Sequence, residues 1–108
     1  MIMQSELIGL GLIDQTDIQN QDSNWPAYKK YFMHGTSHHL GLDVHDVGTM
    51  HNPITPGMVF TVEPGIYIPA EGIGIRLENN IVIQENGFFD LMRNIPIKVE
   101  EIEELMNS

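Results

Sequence analysis

The chain has 108 residues, 42% of them hydrophobic, which suits one small domain with a core of its own. Its 5 basic and 15 acidic residues give a formal net charge of −10, which argues against nucleic acid or an anionic membrane as a partner and favours cations. Because the chain has no cysteine, and no apolar run near the roughly 18 residues that span a bilayer, we expect a soluble cytoplasmic protein without disulfides or thiolate metal sites.

The first third of the chain is predicted to form short helices and loops. Glu6 to Leu12 is apolar but contains two glycines, each costing about 1 kcal/mol relative to alanine, so we expect only a weak helical turn. The polar stretch from Asp14 to Asn24 has the clustered residue types typical of loops and caps, and we expect a loop there. Pro26 fits the first turn of a short helix over Ala27 to Lys30, and a short strand over Tyr31 to Met33 is expected to follow.

A histidine-rich stretch, MHGTSHHLGLDVHDVG, occupies residues 33–48 and places four of the five histidines within twelve positions. Imidazole ligates metals and moves protons near neutral pH. The glycines between the histidines allow tight backbone turns. Packing does not require such a cluster of His34, His38, His39 and His45, so the stretch predicts a functional site.

The second half of the chain is predicted to be mainly strands. Met58 to Glu63 is rich in β-branched and aromatic residues, and it ends before Pro64, which cannot donate to a ladder. In the next strand region, period-two alternation places Arg76 and Glu78 on one face. The further predicted elements are a strand over Ile66 to Pro69, one strand or a tight hairpin over Ile73 to Gln84, a strand over Phe88 to Leu91, and an amphipathic helix over Val99 to Met106.

One imidazole and two carboxylates, those of His38, Glu63 and Glu78, form a candidate donor set for Mn²⁺, Co²⁺, Fe²⁺ or Zn²⁺. Other interpretations of the same residues stay open at this point. Glu63 is equally interpreted as a solvated carboxylate at a strand end, and Glu78 as a cross-strand partner on a solvated face. His45 and His51 are equally interpreted as surface histidines.

A helical zinc site is a further alternative, because His34 and His38 are four residues apart and would share a helix face. Gly35 and Gly41 oppose a regular helix there. The residue after His34 is also glycine, whereas helical zinc-peptidase motifs have glutamate at that position. The sequence therefore disfavours this alternative.

Three motifs together, HGTSHHLGLDVHDVG, PGMVFTVEPGIYIP and GIGIRLENNIVI, resemble the C-terminal part of aminopeptidase P. These enzymes are the Xaa-Pro aminopeptidases of the pita-bread metallopeptidase family, and they are similar to the prolidases. The resemblance covers roughly Ala27 to Met106 and implies an α+β fold, the C-terminal half of a pita-bread domain. Antiparallel strands, a short helix before the histidine motif and a C-terminal helix are expected, with residues 1–108 as a single partial catalytic domain.

The resemblance also implies roles for individual residues. The implied metal ligands are His38, Glu63 and Glu78, with Glu78 bridging two ions. The implied catalytic residues are His34 and His45, which contact substrate and stabilise the tetrahedral intermediate, and Arg76, which lines the site. Manganese is the first expectation for the metal. His39 stands where relatives often carry tryptophan, so we assign it no role.

The implied activity is hydrolysis of the bond between an N-terminal residue and a following proline, so the expected partners are peptides with proline in second position. Two aspartate ligands that the family carries in an earlier segment have no match here. We therefore expect the chain alone to bind at most one ion weakly and to be a poor peptidase. Unpaired sheet edges favour self-association or a partner chain that supplies the missing half. A prolidase-like dipeptidase and a catalytically inactive binding module or remnant are the open alternatives.

Overall fold

The computed structural model describes residues 2–49 and 51–108, so Met1 and Met50 of the predicted domain lie outside the described residues. The chain divides into two compact units. The first unit comprises the residues up to His34 and Gly65–Ile75, and the second comprises Gly35–Pro64 and Arg76–Ser108. The elements are α1 (Ile2–Gly9), α2 (Gln15–Gln19), β1 (Val59–Val62), β2 (Gly65–Ile68), β3 (Ile73–Arg76), β4 (Asn79–Gln84), β5 (Gly87–Asp90) and α3 (Val99–Met106), with 3-10 helices at Ala27–Lys30 and Pro69–Glu71.

The predicted combination of helices with antiparallel strands, a short helix before the histidine motif and a C-terminal helix is confirmed. That residues 1–108 act as one partial catalytic domain stays a prediction. Among the described residues, no helix is long and apolar enough to cross a membrane.

The first unit packs around Leu7, Ile13 and Phe32, each of which is at most 4% exposed. Its strands β2 and β3 form a two-stranded sheet. The 3-10 helix between them ends at Gly72, whose φ of 63° is a backbone conformation that favours glycine.

The prediction of a loop over Asp14 to Asn24 is wrong, because α2 forms inside this stretch. The Asp14 carboxylate accepts a hydrogen bond from the Asp17 N–H at 2.9 Å, and the Asp17 carboxylate accepts one from the Asp14 N–H at 2.8 Å. This reciprocal capping box satisfies two N–H groups that a helix start otherwise leaves unpaired. The usual capping-box sequence combines Ser or Thr with Glu or Gln. Because two aspartates form the box here, the usual pattern does not mark this helix start.

The residues just before the histidine motif also differ from expectation. The predicted short helix over Ala27 to Lys30 is present as a 3-10 helix. The predicted strand over Tyr31 to Met33 is absent, because the Phe32 N–H donates to the Tyr28 carbonyl at 2.9 Å and keeps the chain turned.

The second unit contains a three-stranded antiparallel sheet in the order β1-β4-β5. Residues 36–40 lie along the other side of β1 as an irregular edge strand. This pairing includes an antiparallel bridge between His39 and Phe60, and three backbone bonds of 2.8–3.0 Å join Leu40 to Val59, His38 to Thr61 and Thr36 to Glu63. The histidine motif is therefore held by the sheet.

The prediction of one strand or tight hairpin over Ile73 to Gln84 is wrong. β3 pairs with β2, whereas β4 pairs with β1 and β5, so the two halves of this segment join different sheets. One partner of β4 is distant in sequence, because β4 sets Val82 between Val59 of β1 and Phe89 of the following strand β5. The strands predicted over Met58 to Glu63, Ile66 to Pro69 and Phe88 to Leu91 are present with ends shifted by one residue, and α3 has the predicted bounds.

We expect the substitution Asp14→Ala to lower the free energy of unfolding by about 0.5–2 kcal/mol, because the Asp17 N–H loses its acceptor. Urea denaturation followed by circular dichroism measures the change. Asp43→Ala is the matched control, since it removes the same charge from an exposed loop position. Equal effects of the two substitutions would contradict a contribution from the capping box.

Candidate metal centre

Two carboxylates lie opposite each other at the end of the β1–β4 ladder. The register pairs Val62 with Asn79, and one step beyond the carboxylates the Leu77 N–H donates to the Pro64 carbonyl at 3.2 Å. Glu63 and Glu78 lie between these two pairs. Like charges at directly opposite positions repel each other, so a cation between the two carboxylates would stabilise this end of the ladder.

The edge strand brings His38 to the same place. The Nε2 atom of His38 lies 3.7 Å from Oε2 of Glu63. One ligand atom from each of His38, Glu63 and Glu78 lies within 4.8 Å of the other two. The side chains of His38 and Glu63 are 20% and 13% exposed and that of Glu78 is 37% exposed, so the cluster is half-buried with one open side.

The second ring nitrogen of His38 determines which nitrogen is free to bind. Nδ1 lies 2.9 Å from the carbonyl oxygen of His39. A carbonyl oxygen only accepts, so Nδ1 carries the hydrogen and the neutral ring presents the Nε2 lone pair on the side of Glu63. Metal-binding histidines commonly donate their other N–H to a carbonyl in this way. The donor set of one imidazole and two carboxylates therefore fits a hard or borderline divalent ion.

Two of the predicted catalytic residues lie beside the cluster. The exposed ring of His45 packs on that of His38, with centroids 4.3 Å apart and planes tilted by 44°. Arg76 Nη2 lies 3.5 Å from Glu78 Oε2, so the two side chains meet although Arg76 ends β3 and Glu78 precedes β4. Their catalytic roles stay predictions.

His34 belongs to the first unit. Its Nε2 lies 2.8 Å from the Tyr67 hydroxyl, and its ring packs edge-on against Phe32 at a centroid distance of 5.0 Å. These contacts fix the orientation of the half-buried imidazole within its own unit. A role of His34 in contacting substrate stays a prediction.

His39 points to the opposite face of the sheet, because successive side chains of an extended segment alternate between faces. Its ring packs on Phe60 with centroids 4.5 Å apart, and it lies over Gly48, where a Cβ atom would collide with the ring. This placement agrees with the absence of an assigned role. The extended pairing of residues 36–40 also rules out the helical zinc site considered for His34 and His38.

Sequence reasoning missed two groups in this network, the Thr61 hydroxyl and the His39 carbonyl. Thr61 is only 1% exposed and its Oγ1 accepts a hydrogen bond from the His38 N–H at 3.1 Å. Residues two apart in a strand lie on the same face, so Thr61 could have been expected on the face of Glu63. This alternation was the signal in the sequence that pointed to Thr61. Nothing in the sequence indicated that the histidine stretch would pair with that strand.

Comparison with known proteins identifies a family and several relatives. Residues 9–85 match the model of metallopeptidase family M24, and this range contains all six predicted site residues. The Xaa-Pro aminopeptidase of Escherichia coli is 46% identical over 97% of this chain and 26% of its own length. The Xaa-Pro aminopeptidase of Haemophilus influenzae is 40% identical over 94% of this chain and 26% of its own length.

The fold of this chain is similar to that of solved aminopeptidase P structures. Zn-substituted Escherichia coli aminopeptidase P in complex with product matches with a TM-score of 0.81 and 47% identity, over 97% of this chain and 26% of that one. Pseudomonas aeruginosa aminopeptidase PepP matches with a TM-score of 0.84 and 39% identity, over 95% of this chain and 26% of that one. The expected part of a pita-bread fold is therefore confirmed. The chain spans about a quarter of the length of these relatives, and it belongs to metallopeptidase family M24.

Proposed function

We propose that this chain contributes part of the catalytic centre of a metal-dependent hydrolase of the Xaa-Pro aminopeptidase type. The observation behind this proposal is the cluster of His38, Glu63 and Glu78, whose ligand atoms lie close enough to bind one metal ion. The chain that contains the cluster is similar to such an enzyme over 97% of this chain's length. The reaction is release of an N-terminal residue that precedes proline. The substrates are accordingly peptides with proline in second position, and the proposed location is the cytoplasm.

The three side chains would hold a divalent ion, with manganese as our first choice. Such an ion, when bound, polarises the scissile carbonyl group and activates a water molecule as nucleophile. Octahedral ions take six ligands, so water or further carboxylates would complete the coordination. We propose that the chain alone binds one ion weakly, and that two additional aspartates come from another polypeptide segment or a partner chain.

The neighbouring side chains have complementary tasks in this proposal. His45, exposed beside His38, would donate a hydrogen bond to the oxyanion that develops on the substrate. Arg76, whose Nη2 lies 3.5 Å from Glu78 Oε2, would line the substrate side of the centre. His34 would contact the substrate with a ring whose orientation the Tyr67 hydroxyl fixes.

The substitution Glu63→Gln should have opposite effects on stability with and without metal. Without metal, we expect unfolding free energy to rise by about 0.2–1 kcal/mol, because the repulsion from Glu78 is removed. With Mn²⁺ at about 100 times the dissociation constant, the unsubstituted chain should gain about 2.7 kcal/mol, and the variant should lose most of this gain. Urea denaturation at pH 8, with and without MnCl₂, measures both effects.

Glu85→Gln is the control, because it neutralises an exposed glutamate in the turn before β5. It should leave the Mn²⁺-dependent gain unchanged. If Glu63→Gln and Glu85→Gln retain the same gain, the carboxylate of Glu63 is not a ligand.

A hybrid enzyme tests the proposed activity. Replacing the matching quarter of Escherichia coli Xaa-Pro aminopeptidase with this chain should give a protein that releases the N-terminal residue of an Xaa-Pro-Xaa tripeptide in the presence of Mn²⁺. Glu78→Gln in the hybrid should lower kcat by more than the roughly 10- to 100-fold typical of losing a group that only orients a ligand, because a carboxylate of the centre itself loses its charge. Chromatography of the released amino acid measures the rate.

The unmodified Escherichia coli enzyme and a Glu85→Gln hybrid are the controls for this assay. A folded hybrid that binds Mn²⁺ but releases no amino acid would contradict the proposed activity. That result would favour the alternative in which this chain is an inactive binding module or remnant.

A further inference from the structure

Thr61 joins the segment that carries His38 to the strand that carries Glu63. The Thr61 N–H donates to the His38 carbonyl at 3.0 Å, and the His38 N–H donates to the Thr61 hydroxyl oxygen at 3.1 Å. In a regular antiparallel ladder the second bond would end on the Thr61 carbonyl. Here the acceptor is a side chain, so this link depends on which amino acid occupies position 61.

Burial makes the link costly to replace. Thr61 is 1% exposed. Among the described residues, it is the one polar residue in the buried class. The bond from the His38 N–H to this hydroxyl is part-buried, and an N–H group shielded from water needs a partner within the protein. Without the hydroxyl, the His38 N–H would have to move toward another acceptor, and the backbone of His38 would move with it.

The backbone of His38 sets the direction of its imidazole. Nε2 lies 3.7 Å from the Glu63 carboxylate, and Glu63 follows Thr61 by two residues on the same face of the sheet. Thr61 is therefore linked to one candidate ligand by its hydroxyl and to the other by the strand, although it offers no ligand atom to the cluster itself.

We propose that Thr61 is a positioning residue for the metal centre, acting through the hydrogen bond from the His38 N–H to its hydroxyl. The inference rests on the proposed function, because it requires His38 and Glu63 to bind a common ion. It predicts that loss of the hydroxyl weakens metal binding beyond any loss of stability.

Three variants of the full chain test this inference. Thr61→Val removes the hydroxyl and nearly keeps the volume, whereas Thr61→Ser keeps the hydroxyl. Val59→Ala is the control for a general loss of stability, because Val59 lies in the same strand and its side chain is not part of the cluster. The measurements are amide hydrogen exchange at His38 in the metal-free chain and the Mn²⁺ dissociation constant from equilibrium dialysis.

We expect Thr61→Val to accelerate exchange at the His38 amide and to weaken Mn²⁺ binding by about 10- to 100-fold, the usual effect of removing a group that orients a ligand. Thr61→Ser should keep both values within about 3-fold of the unsubstituted chain. Val59→Ala should lower the urea midpoint while the Mn²⁺ dissociation constant stays within the same range.

Three results would overturn the inference while the proposed metal centre stands. These are unchanged Mn²⁺ binding in Thr61→Val, unchanged exchange at the His38 amide in that variant, or an equal loss of Mn²⁺ binding in Val59→Ala. Failure of the unsubstituted chain to bind Mn²⁺ would contradict the proposed function itself, and the inference would fall with it.

Discussion

The placement of Glu63 opposite Glu78 is the constraint on which the candidate metal centre of the second unit depends. The strand register places the two carboxylates opposite each other, where like charges are unfavourable. Arg76 lies 3.5 Å from Glu78, but both side chains are more than a third exposed, so water screens this pair and it contributes little. A bound cation would offset the repulsion from a better position, between the carboxylates and beside His38. The formal charge of −10 favours cations over the whole chain in the same sense.

Successive side chains of residues 36–40 point to opposite faces of the sheet, so the candidate metal ligands lie on one face and apolar packing lies on the other. His38 and its opposite residue Thr61 point to the face that carries the two glutamates, whereas His39 and Phe60 point to the other face. The second face is apolar, and its groove is also lined by Met58, Ile81 and Ile83. Two adjacent histidines therefore have different environments. Only the first of them has a free nitrogen beside a carboxylate.

Local sequence patterns predicted the elements that depend on local chemistry. The composition of β1, the proline that follows it and the amphipathic pattern of α3 were enough to place these elements to within about one residue. The candidate donor set was also predictable as a set of residue types. Its assignment to individual residues came from three sequence motifs that resemble a known family, and not from spacing.

Pairings between distant segments could not be predicted. The division of Ile73 to Gln84 between two sheets depends on the partners available to each half, and no local pattern encodes that choice. The pairing of residues 36–40 with β1, which brings His38 to Glu63 and Thr61, is also non-local. The helix α2 was missed for a different reason, since its capping box uses two aspartates in place of the common residue types.

The most direct measurement is an anomalous difference map from a crystal of this chain grown with Mn²⁺, with data collected at the manganese absorption edge. We predict one peak per chain, bound by Nε2 of His38 and by carboxylate oxygens of Glu63 and Glu78. A peak on Nδ1 of His38, a peak on other side chains, or a map without a peak at this cluster would contradict this prediction.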